Sequence, residues 1–259
     1  MARPKVKFVK ALWGMESTPH KEAAKKVAQS GFAAIETPAA SLADAAPFWD
    51  EGLGVVAMLF PMTLEDLKVG LANSARLDPL HINVHAGKDW WSYEQGVEFF
   101  QQAVRLSSPA PVYFETHRGR LLHQPTSAMA LLEAVPELRV TADLSHWTCV
   151  CESLLGDQKP ALDMTISRTR YIHARVGHEE GPQVPDPRAP EWGGHVERFC
   201  RWWDEILDKA GERGQETMYV DVEFGPPNYM WTMPHTREPL ADLWDVCVWM
   251  KDHLKKRWS

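Results

Sequence analysis

The chain has no Cys-x-x-Cys pair, no low-complexity segment and no apolar run long enough to cross a bilayer. Each absence removes a class of function. Without paired cysteines there is neither a zinc ribbon nor a thioredoxin-like redox site. The four cysteines, Cys149, Cys151, Cys200 and Cys247, are expected to be free thiols in a reducing cytosol. The longest apolar stretch, GVVAMLFPM at 54–62, falls far short of the roughly 20 residues that a spanning helix needs. The N-terminal stretch is basic but lacks the apolar segment of a secretory signal, so a cytoplasmic protein is expected. Positive charge is in deficit: 28 Lys and Arg stand against 35 Asp and Glu, a net charge of -7 over 259 residues. Proteins that grip a phosphate backbone usually carry a basic face, so neither a nucleic-acid nor a membrane partner is expected. LWGMESTPH, after the first strand-like run, holds a single glycine, which excludes a Gly-rich dinucleotide fingerprint there.

Short strand-like runs that alternate with helix-like stretches are abundant. Strands are expected near 6–12, 32–36, 54–60, 80–85, 111–116, 139–143, 170–175 and 217–223. Between them lie helical stretches such as STPHKEAAKKVAQSG, SYEQGVEFFQQAVRLS, GGHVERFCRWWDEILDKAG and LADLWDVCVWMKDHLKKRW, with apolar residues at helical spacing. Eight such units in a chain of this length predict one α/β domain over 1–259, a (β/α)8 TIM barrel.

In a strand, successive side chains point to opposite faces. The stretch YFETHRGR at 113–120 therefore puts Tyr113, Glu115 and His117 on one face and Phe114 and Thr116 on the other. The same rule groups His81, Asn83 and His85; Thr141 and Asp143; Tyr171, His173 and Arg175; Tyr219, Asp221 and Glu223; and Ala34 with Glu36. The polar sets are expected to face the barrel interior, with the apolar sets under the helices. Glu115, Asp143, His173 and Glu223 fall at C-terminal strand ends, where catalytic groups of such barrels sit. Their spacings of 28, 30 and 50 residues let strands five to eight each deliver one group to a common centre. Three carboxylates and an imidazole repel one another in a dry pocket unless a cation joins them. A divalent ion (Mn²⁺, Co²⁺, Zn²⁺, Fe²⁺ or Mg²⁺) suits mixed oxygen and nitrogen ligands. His81 and Asp221 lie deeper and are expected in a buried hydrogen-bonded network.

The segments FETHRGR, TADLSHW, YIHARVG and VDVEFGP resemble the metal-binding segments of the xylose isomerase-like TIM barrels. That superfamily includes sugar isomerases, ketose 3-epimerases, inosose dehydratases and endonuclease IV-type repair enzymes. The resemblance implies that Glu115, Asp143, His173 and Glu223 hold the metal and that Glu115 and Glu223 also move protons at the substrate carbon. It implies substrate contacts for His146, for Trp13 on the first strand and for the acidic Glu36 on the second. His85 matches an additional zinc ligand of the repair enzymes. Arg175 stands two residues after His173, whereas the epimerases carry their substrate-holding Arg about six residues on. The third strand has no His, and no Asp-x-His pair follows His173, so the repair-enzyme pattern is incomplete.

These features imply an isomerase or epimerase acting on a sugar or related hydroxy-carbonyl compound. Proton removal next to the carbonyl would give an enediolate stabilised by the metal. A lyase or dehydratase on a keto-sugar, keto-glycoside or inosose is the alternative, followed by a repair-type nuclease and a non-catalytic barrel. The partner is expected to be a small carbohydrate-like molecule, with self-association left open. His117 with HRGR is a candidate anion site, His195 a candidate substrate contact, and Trp90, Trp91 and Trp147 a candidate aromatic wall. The proline-rich stretch 177–194 is read as an ordered wall, a subunit contact or a rigid surface loop.

Overall fold

Eight strands form: β1 Lys5–Ala11, β2 Ala34–Pro38, β3 Gly54–Leu59, β4 His81–Val84, β5 Val112–Glu115, β6 Val140–Ala142, β7 Thr169–His173 and β8 Thr217–Asp221. Each pairs in parallel with its neighbour in sequence, and β8 closes on β1 through five residue pairs from Lys5–Thr217 to Val9–Asp221. The result, in a computed structural model that describes residues 2–259, is the expected closed (β/α)8 barrel.

The helices are α1 His20–Gln29, α2 Ala46–Trp49, α3 Leu64–Ser74, α4 Tyr93–Ala103, α5 Pro125–Ala134, α6 Ser145–Val150, α7 Lys159–Arg168, α8 Gly193–Glu212 and α9 Leu243–Arg257. Local chemistry fixes several starts. Ser92 and Gln95 form a reciprocal capping box at α4, and the Asp242 side chain caps α9, each satisfying N–H groups that a helix start leaves free. Helix α1 begins later than its Ser/Thr signal suggests. Pro19 is the capping position and no side chain caps the start.

Alternation sorts the side chains as expected. Val9, Ala34, Val56 and Tyr171 form a small cluster inside the barrel, with Leu80, Tyr113 and Tyr219 against it. Ile35, Val55, Ala57, Ile82, Val84, Phe114, Val140, Ala142, Ile172, Met218 and Val220 join the larger core under the helices. Burial of this layer drives folding, at about 25 cal/mol per Å² of apolar surface. Its rigid frame sets the positions of strand ends.

Segment 177–194 is an ordered strap. Val184 N–H donates to Val176 O at 2.9 Å, and the Gln183 amide exchanges two hydrogen bonds, of 3.0 and 2.7 Å, with the Gly225 backbone. The strap therefore props the turn after β8. Among the described residues no helix is long and apolar enough to cross a membrane.

Candidate metal centre and its pocket

Strands β5 and β7 end on Glu115 and His173, while Asp143 follows β6 by one residue and Glu223 follows β8 by two. The barrel thus brings all four to its C-terminal mouth, each nearly or fully buried. His173 Nδ1 lies between the two glutamates, 3.2 Å from Glu223 Oε2 and 3.6 Å from Glu115 Oε2. Ligand atoms of Asp143, His173 and Glu223 lie within 4.8 Å of one another, as do those of Glu115, Asp143 and His146.

His173 is held from below. Its Nε2 sits 3.2 Å from Glu36 Oε2, which also accepts from the Tyr171 hydroxyl. Burial opposes charge on the ring, but Glu36, Glu115 and Glu223 overcome it and raise its pKa well above the ordinary value; a bound cation would replace the Nδ1 proton while Nε2–H stays on Glu36. A second-ring hydrogen bond of this kind fixes the tautomer of metal-binding histidines. Asn83 Nδ2 joins the layers, donating to Glu115 Oε2 at 2.6 Å and Glu36 Oε1 at 3.1 Å. Its inward position follows from alternation, but its bridging role depends on three strands meeting. Glu36 is therefore a prop beneath His173, away from the pocket wall, and the substrate contact expected for it is corrected accordingly.

Arg175 is buried at the same mouth. It donates to Asp143 Oδ2, to Ser145 Oγ at 3.2 Å and to His146 Nε2 at 2.7 Å, and its Nη1 stands 3.5 Å from Glu223. His146 must be neutral to accept, and burial lowers its pKa well below the ordinary value. His146 thus supports Arg175 rather than the pocket surface, which corrects its expected position as well.

The residues fit a divalent cation. Five buried carboxylates, Glu36, Glu115, Asp143, Asp221 and Glu223, gather here with the Arg175 guanidinium. Burial pushes the Asp221 carboxyl up to about 8, so it is neutral at pH 7. The other four still outweigh the Arg175 guanidinium and the His173 imidazolium together. Glu115 Oε1 and His173 Nδ1 are buried without a hydrogen-bond partner, which is costly for polar atoms unless another group meets them. His85 Nε2 stands 2.6 Å from Glu115 Oε2, yet without hydrogen-bonding geometry. Burial pushes Asp143 up to about 6, with Glu115 and Glu223 adding to the shift and Arg175 opposing it. Burial also acts on Glu223, but Arg175 and His173 overcome it and hold that carboxyl below the usual range.

Above this floor lies a pocket of about 450 Å³ whose lining includes Glu115, Glu223, His85, His117, Arg175 and Trp13. Burial pushes His85 and His117 down to about 3, so both imidazoles are neutral. His117 Nδ1–H donates to Arg118 O at 2.5 Å, which leaves Nε2 as an acceptor. The Trp13 ring meets Tyr229 edge-on at 4.8 Å. A Cβ at Gly225 would collide with the Trp13 ring, so glycine is needed there.

Phe60, Arg120 and Tyr229 also line the pocket. Phe60 ends the expected strand 54–60 and shares the inward face of Val56 and Met58, a signal alternation carries; Tyr229 sits in a connection with no periodicity, and Arg120 was visible only as the end of HRGR. Conversely, His195 pairs with Glu179 at 2.9 Å and packs on Trp192 outside the pocket lining. The expected aromatic wall is misplaced too. Trp90 is 73% exposed, and Trp147 is fully buried, donating Nε1–H to Leu122 O. The aromatic surface is Trp13, Phe60 and Tyr229 instead.

No family model matches the chain, and no curated protein matches it in sequence. Solved structures do match in shape. The probable 3-DHS dehydratase AsbF involved in petrobactin synthesis from Bacillus anthracis superposes with a TM-score of 0.63 at 12% identity, covering 97% of this chain and 99% of that one. Endonuclease IV from Thermus thermophilus gives 0.59 at 17%, covering 98% of each chain. An L-ribulose 3-epimerase gives 0.60 at 14%, covering 99% and 94%. At these identities the likeness speaks for architecture alone: the chain shares the closed (β/α)8 barrel of these proteins.

Proposed function

We propose that this protein is a divalent-metal-dependent isomerase or epimerase acting on a sugar or related hydroxy-carbonyl compound. The observation that carries the reading is the division of labour at the mouth. Glu115 and Glu223 reach the pocket surface, while Asp143 and His173 lie beneath it. The two glutamates therefore can meet both a cation and a substrate carbon, and the aspartate and histidine only the cation.

Glu115, Asp143, His173 and Glu223 would hold the ion. When bound, the ion supplies Lewis acidity that polarises a carbonyl and favours loss of the neighbouring proton. Glu223, kept ionised by Arg175 and His173, would take or return that proton. Glu115, on the other side of His173, would serve the opposite face of the same carbon. Arg175 fixes Asp143 and presents its remaining N–H groups to substrate oxygens. Trp13 and Tyr229 give the sugar ring an apolar surface and exclude water.

The test is a screen of keto-sugars and cyclitol ketones with Mn²⁺-loaded protein in D₂O, read by NMR. Deuterium is expected at a carbon next to the carbonyl, without loss of a substituent. Expulsion of water or a glycosidic group would assign the lyase chemistry instead, and no exchange with any ketone would contradict enolisation.

A further inference from the structure

The proposed chemistry does not use Arg120, whose guanidinium lies in the pocket lining. Its Nη1 donates to Gly87 O at 3.2 Å and points at Met62 Sδ at 3.8 Å. Among the described residues no carboxylate pairs with it, and no acceptor meets its Nε–H or Nη2–H. The edge formed by those two nitrogens is therefore free, and it has the geometry that takes a carboxylate through two parallel bonds. The guanidinium is steered by its surroundings, standing 5.8 Å over the Phe60 ring. Phe60 packs on His85 at 4.7 Å, and His85 reaches Glu115. A substrate group on Arg120 would thus lie on the same molecule as the carbon at which Glu115 moves a proton, a short distance along its chain.

Arg120 is half-buried, and the Nε–Nη2 edge that no protein acceptor meets lies at a pocket wall, so it points to a ligand that completes it. We propose that Arg120 makes this pocket select hydroxy-ketones that end in a carboxylate, an inference that rests on the enolisation reading of the same site. Charge favours a monoanion over a phosphate dianion. With Glu115 and Glu223 taken up by the ion and Arg175 committed to Asp143 and Glu223, the wall still presents the carboxylate of Glu16. One free guanidinium remains. The volume of about 450 Å³ suits a molecule of sugar size.

Three probes isolate the terminal group: D-fructose, D-fructuronate and D-fructose 6-phosphate, titrated calorimetrically into the Mn²⁺-supplied wild type, Arg120→Met and Arg120→Gln. A charge-assisted bond of this kind corresponds to roughly 10- to 100-fold in affinity. Fructuronate is expected to bind the wild type tighter than fructose by that factor and tighter than the phosphate. Both variants should lose the preference while binding fructose within about threefold of wild type. Two neutral replacements guard against one that misfolds, and the wild-type ratio stands by itself. Equal binding of fructose and fructuronate, a preference for the phosphate, or a carboxylate preference that survives both substitutions overturns the inference. Deuterium exchange on the same ketones separates the two layers. Exchange without carboxylate preference sinks only the role of Arg120, carboxylate preference without exchange sinks only the enolisation, and failure of all three probes to bind sinks both.

Discussion

Two layers of the same barrel use the same inward positions to different ends. At the rim, Glu115, Asp143, His173 and Glu223 crowd together with buried atoms left unpaired. One layer down, His81 sits among the rings of Tyr171, Tyr113 and Tyr219 at 4.3, 5.2 and 5.5 Å. There burial keeps His81 neutral, with its pKa pushed down to about 3, and holds Asp221 protonated toward pH 8. The lower layer resolves burial by giving up charge. The upper layer keeps charge and needs a cation. Facing inward therefore marks a residue as polar-lined interior, and height in the barrel decides whether it can do chemistry.

The sharpest way to break this contrast is at the glutamates. Glu223→Gln keeps an oxygen donor but cannot take a proton, so turnover should fall about 10²- to 10⁴-fold while metal content holds. Glu115→Gln should behave alike if the two carboxylates serve opposite faces. Rates in both metal-loaded variants equal to wild type would move the base to His85 or His117, the imidazoles of the pocket wall beside Glu115. Next in size is the prop. Glu36→Gln should weaken metal binding about 10- to 100-fold, as loss of a tautomer-fixing partner does. Nitrogen NMR of His173 in the metal-loaded protein should show Nε2 protonated and Nδ1 without a proton in the wild type, and a tautomer mixture in Glu36→Gln. An unchanged tautomer would leave Glu36 a packing residue.

The lower layer should respond in the opposite way. His81→Ala empties a fully enclosed site, so denaturation should show a loss of about 2–4 kcal/mol, as for other large-to-small core changes, with metal content unchanged. Loss of metal in that variant would merge the two layers.

The smallest effect concerns pH. Asp143 titrates near 6 in the folded chain against about 3.9 when unfolded. The native state thus holds the proton more tightly, and stability from this group is present at acid pH and is lost as pH rises from about 4 to about 6. Mn²⁺ binds the ionised form, so the rise in melting temperature on adding Mn²⁺ should grow as pH increases through 6. A constant rise from pH 5 to pH 7.5 would remove Asp143 from the ligand set.

Much of this architecture was legible in the sequence because its signals are local. Period-two alternation located the inward faces of β4, β5, β7 and β8, and with them Glu115 and His173. Asp143 and Glu223 were found although they lie past their strands, because the alternation persists as the chain leaves the sheet. Arg175 was placed at the mouth, but its grip on Asp143 and His146 joins residues about 30 positions apart, and no local pattern encodes it. His195 looked available because its partner Glu179 lies across the strap. Arg120 and Tyr229 come from irregular connections that only the closed barrel brings together, whereas Phe60 continues the inward face of β3.

The central claim is that the rim converges on one cation, and metal stoichiometry tests it most directly. Protein purified without chelator and re-supplied with Mn²⁺, Co²⁺ or Zn²⁺ should hold about one tightly bound ion per chain, as judged by the charge excess of its buried carboxylates. Asp143→Asn and His173→Ala should lose that ion with an unchanged far-UV circular dichroism spectrum. A folded wild type that retains none of the three ions after dialysis would contradict the account.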